Sequence, residues 1–259
     1  MYTDFEKAFD TVSHSKLICK LQGLGICGKL LAWLKNYFVG REQAVKVGSG
    51  LSGWRDITSG VPQGSVLGPL LFILFIDDLV QEMPAAIKIK LYADDAKLYI
   101  IYEPHDWTPC LQLTLAILEK WTVKWELRLA VAKCSLFYLG RLNRRHAYTA
   151  FGVPLEAVSV VRDLGVLLSD DLKWLRHTAH IASKASQRAN AIFKAFTFSS
   201  FDMLASAYIT YVRPLLESAS VVWSPYLLQE KRLLESASVN ILSAYFAGVD
   251  CRPLHMKTG

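Results

Sequence analysis

The stretch Lys90–Ile100, KLYADDAKLYI, sets two adjacent carboxylates, Asp94 and Asp95, between short segments in which β-branched or aromatic residues alternate with polar ones. That alternation over Ile87–Tyr92 and Lys97–Ile101 predicts two strands, and Ala93-Asp94-Asp95-Ala96 is short enough to be the turn joining them. Like charges held side by side on a tight turn repel. A hard divalent cation such as Mg²⁺, which favours a few carboxylate oxygens plus substrate phosphate, offsets that repulsion. The competing reading of any Asp-Asp pair is a solvated turn. Ile76-Asp77-Asp78-Leu79 is a second pair, but it follows a long apolar run of helical character and reads as a helix end without chemistry.

Two other stretches give the first pair company. Tyr2-Thr3-Asp4-Phe5 is strand-like and ends in a third carboxylate, Asp4, and Gly60-Val61-Pro62-Gln63-Gly64-Ser65 is a glycine-rich turn leading into a buried helix. Adjacent antiparallel strands would bring Asp4 beside Asp94, and divalent ions bridging such carboxylates activate a hydroxyl and stabilise a leaving oxygen in phosphoryl displacement.

Composition sets the bounds. The 259 residues suffice for one large domain or two modest ones. A mean hydropathy of +0.24 with 52% hydrophobic residues indicates a large core or an apolar surface that faces a neighbour. The longest apolar run, Leu67–Ile76, contains Gly68 and Pro69 and is too short to span a bilayer, so no membrane partner is expected. A formal charge of +6 is compatible with a polyanionic partner without specifying one. Five scattered cysteines, Cys19, Cys27, Cys110, Cys134 and Cys251, read as thiols in a reducing compartment. Cys251 and His255 lack a second pair to complete a zinc site. The first ten residues are charged, without the apolar core of a signal peptide.

In chain order the pattern predicts helices over Ser13–Leu21 and Gly28–Phe38, strands over Gln43–Val47 and Trp54–Ile57, and a helix opening at Pro69 and running to about Val80. A helix over Leu111–Leu129 is expected with Leu113, Ile117, Trp121, Trp125 and Leu127 inward, then a strand over Ser135–Leu139 and alternating stretches at Ala147–Val153 and Ser159–Leu167. From Trp174 the period becomes helical throughout, over 174–197, about 199–216 and about 226–247, with breaks at Ser199-Ser200 and Pro214. This places a domain boundary near 170.

DFEKAFD at Asp4–Asp10, SGVPQGSVLGPLLF at Ser59–Phe72 and YADD at Tyr92–Asp95 closely resemble the palm motifs of reverse transcriptases, specifically those of LINE-like, jockey-type non-LTR retrotransposons. Ser65–Pro69 and Phe75–Leu79 fit that pattern better than the intron-encoded maturase branch. The resemblance implies an α+β right-hand polymerase palm, an antiparallel sheet backed by helices, over 1–170, and an all-helical thumb over 171–259. It implies an RNA-directed DNA polymerase that takes an RNA template, a DNA primer and deoxynucleoside triphosphates, with Mg²⁺ or Mn²⁺ as cofactor. The family's fingers region and endonuclease lie upstream of these motifs, so the chain reads as a fragment with truncated fingers. The alternative is a catalytically inactive nucleic-acid-binding remnant.

Residue by residue, Asp4 and Asp94 match the family's metal ligands, Asp95 is the second carboxylate of the pair, and the backbone at Phe5 would face the triphosphate. Phe9 matches the aromatic residue that excludes a ribose 2′-hydroxyl, although the residues alone would make it a core aromatic. Gln63 and Gly64 match a turn that touches nucleotide and template. Lys133 matches a lysine that protonates departing pyrophosphate, with a solvated surface lysine equally open. Lys173, Arg176, His177, His180, Lys184 and Arg188 recur three or four apart, as the wet side of one helix or as a face for duplex phosphates.

Overall fold

In the computed structural model, which describes residues 1–101, 110–140, 143, 145–195 and 201–247, the chain divides into two compact units, Met1–Val158 and Ser159–Gly259. Cys251, His255 and the Ser199-Ser200 break lie outside the described residues. Among the described residues no helix is long and apolar enough to cross a membrane.

The first unit begins with strand β1 (Tyr2–Thr3) and helices α1 (Ala8–Thr11), α2 (His14–Gly23) and α3 (Gly28–Phe38). Four short strands follow, β2 (Glu42–Gln43), β3 (Lys46–Val47), β4 (Gly50–Leu51) and β5 (Arg55–Asp56). Then come α4 (Leu67–Ile76), α5 (Asp78–Glu82), β6 (Lys88–Tyr92), β7 (Asp95–Tyr99), α6 (Cys110–Trp125) and a 3₁₀ turn at Val131–Lys133. Strands β8 (Ser135–Phe137), β9 (Thr149–Ala150), β10 (Val153–Pro154) and β11 (Glu156–Val158) complete it.

Five of these strands form one sheet in the order β11-β8-β1-β7-β6, antiparallel except for the β11–β8 pair. This is the α+β, antiparallel-rich class that the resemblance implies. On one face Thr3 and Ala96, register partners, are buried, and Thr3 Oγ1 donates to the Ala96 carbonyl at 2.9 Å. Phe5, Leu17, Leu21, Phe72, Phe75 and Trp121 share that core, so α2, α4 and α6 bury their apolar sides in it. Burial of these side chains, each contributing about 1.5–3 kcal/mol, fixes the register, since a one-residue slip would put Thr3 and Ala96 in water.

Several elements differ from expectation. Tyr92 pairs with Asp95, so the acidic hairpin turns on two residues, Ala93 and Asp94, with Ala93 in the left-handed region (φ 52), and Asp95 already belongs to the strand. Helix α4 starts at Leu67 rather than Pro69, because Ser65 Oγ accepts the Gly68 amide at 2.9 Å and satisfies a first-turn donor. Helix α6 stops at Trp125, where Glu126 turns left-handed (φ 60), and its inward face runs through Leu111, Leu115, Leu118 and Trp121. Leu113, expected inward, is 58% exposed, and Ile117 is half-buried. The alternating stretches near 150 and 163 each fold as a tight hairpin: β9 pairs with β10, and in the second unit β12 (Val160–Asp163) pairs with β13 (Val166–Ser169).

After that hairpin the second unit is helical: α7 (Leu175–Ala195), α8 (Phe201–Ala207), a π-helical turn at Tyr208–Val212, α9 (Arg213–Glu217), α10 (Ser220–Trp223) and α11 (Leu228–Ala247). Ala185, Ala189 and Ile192, three or four apart on α7, pack with Leu204, Val212 and Leu216. Val166 of β13 packs with Ile181 and Trp223, so the hairpin joins this unit, and the division at Ser159 differs from a boundary at 170 by that hairpin.

Candidate active site

Strand β1 lies between β7 and β8, and Asp4 follows its last residue. The Thr3–Ala96 pairing, continued by one residue, sets Asp4 opposite Asp95 and next to the turn that carries Asp94. Because side chains alternate, Asp4 and Asp95 share the face of Tyr2 and Lys97, away from buried Thr3 and Ala96. Lys97 Nζ lies 5.2 Å from the Tyr2 ring centroid on that face.

On the other flank the chain at 128–130 runs beside residues 4–6. The Ala130 amide donates to the Asp4 carbonyl and the Glu6 amide to the Arg128 carbonyl, both at 2.8 Å. These bonds bracket the Phe5–Leu129 bridge and leave the Phe5 amide and carbonyl directed towards the Ala93-Asp94 side. The Phe5 ring itself is core, 1% exposed and tilted against Trp121. The same segment carries Lys133 to the site, with Nζ 2.9 Å from Asp4 Oδ2. The Lys133 ammonium is held above the usual lysine range by its hydrogen bond to Asp4 and the Asp4 charge, with smaller help from Asp94 and Glu6.

The glycine-rich turn docks on the segment after Asp4. The Gly60 amide donates to the Val12 carbonyl and the Val61 amide to the Phe9 carbonyl, both at 2.8 Å, and Ser59 Oγ donates to the Asp10 carbonyl at 2.9 Å. A Cβ at Gly60 (φ 90) would stand 2.7 Å from the Asp10 carbonyl oxygen, so only glycine fits this approach. Gln63 Nε2 then donates to Asp10 Oδ1 at 2.7 Å, and Gly64 (φ 77) shapes the exposed end of the turn. Phe9 is half-buried, its ring stacked 4.4 Å from that of Phe72. Asp10, the partner of Gln63, was not singled out from sequence, although it closes the same DFEKAFD motif.

The second acidic pair is structural. Asp78 Oδ1 accepts Lys20 Nζ at 2.5 Å and Trp121 Nε1 at 3.0 Å. Lys20 Nζ also donates to the Phe75 carbonyl and lies 3.8 Å from the Trp125 ring centroid, 4.6 Å from Phe75 and 4.7 Å from Trp121. Burial pushes this lysine down to about 8, against the opposing influence of Asp78.

In the second unit, Arg176, Lys184 and Arg188 are exposed along α7 and His180 is half-buried. Lys173 precedes the helix, 4.0 Å from Asp171. His177 leaves the expected stripe: it is 2% exposed, accepts the Leu167 amide on Nδ1 at 3.2 Å and meets Trp223 edge-on. Burial, then the charges of Lys184 and of Arg162 on β12, lower the His180 ring below the usual histidine range. Spacing along one helix could not have disclosed Arg162.

Among the described residues no three His, Cys, Asp or Glu side chains stand close enough to share a metal ion. The donors are nevertheless of the right chemistry, since Mg²⁺ is commonly held by one or two carboxylates with substrate phosphate and water completing its shell. Asp4 already carries one positive partner, the Lys133 ammonium.

The reverse transcriptase (RNA-dependent DNA polymerase) family profile matches residues 1–179. The chain is 29% identical over 236 residues to an RNA-directed DNA polymerase from mobile element jockey of Drosophila funebris, covering 86% of this chain and 25% of that protein. It is 32% identical over 198 residues to a probable RNA-directed DNA polymerase from transposon BS of Drosophila melanogaster, covering 73% and 22%. A probable RNA-directed DNA polymerase from transposon X-element of the same fly is 30% identical over 190 residues, covering 71% and 21%. The chain thus spans about a quarter of the length of these relatives. With three motifs meeting at one end of the sheet and a matching profile over most of its length, the chain belongs to the reverse transcriptase (RNA-dependent DNA polymerase) family.

Proposed function

We propose that this chain is the nucleotidyl-transfer region of an RNA-directed DNA polymerase, a palm over 1–170 and a thumb over 171–259, which adds deoxynucleotides to a primer 3′-hydroxyl on an RNA template. The observation that carries this reading is the meeting of Asp4 with the Ala93-Asp94 turn on adjacent strands under the Lys133 ammonium. Asp4 and Asp94 hold divalent cations, Mg²⁺ or Mn²⁺, with Asp95 adding negative potential. Bound there, such ions supply activation of the attacking hydroxyl and charge neutralisation at the leaving oxygen. The Phe5 backbone, on the Asp94 side of β1, faces the triphosphate. Phe9, braced by Phe72, lies under the sugar and excludes a 2′-hydroxyl. Gln63 and Gly64, tied to Asp10, position nucleotide and template. Lys133, held protonated, gives its proton to departing pyrophosphate. Lys173, Arg176, His180, Lys184 and Arg188 contact duplex phosphates.

Primer extension on an RNA template with Mg²⁺ and deoxynucleotides, comparing the chain with Asp94→Asn, tests the reading. Extension by the former alone supports it. Failure of both, with the primer duplex still shifted in a gel, favours the second reading, a nucleic-acid-binding remnant.

A further inference from the structure

The first unit holds a groove of about 690 Å³ whose lining includes Glu6, Glu126, Arg128 and Phe151. Its volume is that of a small-molecule site. Neither Asp4, Asp94 nor Lys133 lines it. Two of its residues are non-glycine residues in the left-handed region, Glu126 (φ 60) at the end of α6 and Phe151 (φ 49) in the turn between β9 and β10. Phe151 is followed by Gly152 (φ 73), so both turn residues have positive φ, the conformation for which Asn or Gly is the ordinary choice at either position. A phenylalanine there is strained, and it is neither buried nor pulled into the core: it is 46% exposed, with its amide held by Glu119 Oε1 at 2.5 Å. Leu164 takes the same conformation in the β12–β13 turn (φ 46), so what sets Phe151 apart is the place of its ring, at the wall of the groove.

The polar groups narrow the ligand. Glu6 and Glu126 bring acceptors only, and Arg128 brings donors only. Lys16, 3.8 Å from Glu126, offsets one carboxylate at the rim. A planar ligand with adjacent N–H donors on its edge and a phosphate at its other end satisfies ring, carboxylate and guanidinium together. Among nucleobases, guanine presents its ring N–H beside its exocyclic amine, whereas adenine and cytosine place a ring acceptor beside theirs, which a carboxylate would repel. We propose that this groove is a second nucleotide site with preference for guanine, in which Phe151 stacks on the base, Glu6 or Glu126 accepts its donor edge and Arg128 takes the phosphate. The site stands whether or not the chain polymerises.

Calorimetric titration of the purified chain with GMP, AMP and CMP in EDTA tests it. GMP should bind at a single site, about tenfold more tightly than AMP or CMP. Phe151→Asn, which suits the left-handed turn and so keeps the fold, should weaken GMP about tenfold. Glu6→Gln with Glu126→Gln should erase the preference for GMP. Asp94→Asn should bind GMP as the unaltered chain does. Absence of binding at millimolar GMP, equal affinity in Phe151→Asn, or loss of binding in Asp94→Asn would each overturn the proposal, the last by assigning the nucleotide to the carboxylate site instead.

Discussion

Lys133 Nζ sits 2.9 Å from Asp4 Oδ2, so the carboxylate at the end of β1 is neutralised by a lysine from the 3₁₀ turn. A divalent ion that takes Asp4 competes with that ammonium for the carboxylate. Lys133→Ala should therefore bind Mg²⁺ more tightly in the absence of nucleotide and, on the proposed function, lose primer extension by roughly 10²-fold or more for want of a proton donor. Calorimetric Mg²⁺ titration beside single-turnover extension separates the two effects. Unchanged Mg²⁺ affinity would mean that the contact is not kept in solution.

Gly60 and Gly64 are both at positive φ, but only Gly60 is crowded. Gly60→Ala should cost roughly 2–4 kcal/mol, conformational strain plus a clash with the Asp10 backbone. Gly64→Ala, with open space around its Cβ, should cost about 1 kcal/mol from backbone strain alone. Urea denaturation of the two variants should reproduce that order.

The acidic hairpin and the Asp4 strand were legible because period-two alternation around charged residues has few other solutions. The exact turn was not: alternation does not say that Ala93 adopts φ 52 and draws Asp95 into the strand. Lys20 was illegible for a different reason. Its neighbours Leu17, Ile18 and Leu21 mark the core side of α2, and a lysine between them reads as polar rim. Phe75, Asp78, Trp121 and Trp125 come from three other helices, and only their packing makes a cage for it. Leu113 was misassigned because α6 offers apolar residues on more than one face, and the sheet selected the face through Leu115 and Leu118.

That cage carries a pH dependence. Lys20 titrates at about 8 in the folded chain and at 10.5 when unfolded. Below pH 8 both states bind the proton and the burial penalty is present in full. Between 8 and 10.5 the unfolded chain binds more protons, so stability rises with pH, by on the order of 3 kcal/mol across the window. Urea midpoints should climb from pH 7.5 to 9.5 relative to Lys20→Met, which lacks the titrating group. Parallel curves for the two proteins would sink the assignment. Asp78→Asn removes the charge that opposes burial and should move the rise to lower pH.

Phe9 packs on Phe72, and two substitutions separate that packing from the role the proposed function gives it. Its ring stacks on Phe72 at the core's edge, so Phe9→Ala should lose roughly 1–3 kcal/mol of stability. On the proposed function it should also admit ribonucleotides. Phe9→Leu keeps most of the apolar contact while lowering the wall beside the sugar. Ribonucleotide incorporation that stays at the unaltered level in both variants would leave Phe9 a packing residue only.

The basic face of α7 makes a similar division between His177 and its neighbours. Arg176 and Lys184 are exposed, and among the charges acting on His180 are Lys184 and Arg162, both cations. If phosphates bind there, Arg176→Ala with Lys184→Ala should weaken duplex binding at low salt and flatten the plot of log affinity against log salt by about two units of slope. Arg162→Ala should remove about one more. His177→Ala should do neither, because its ring lies inside, between Leu167 and Trp223, and its loss is a packing defect. It should instead lower the urea midpoint by an amount typical of a buried side chain, roughly 2–4 kcal/mol. A salt slope that is the same in the arginine and lysine variants as in the unaltered chain would make the stripe nothing more than the wet side of α7.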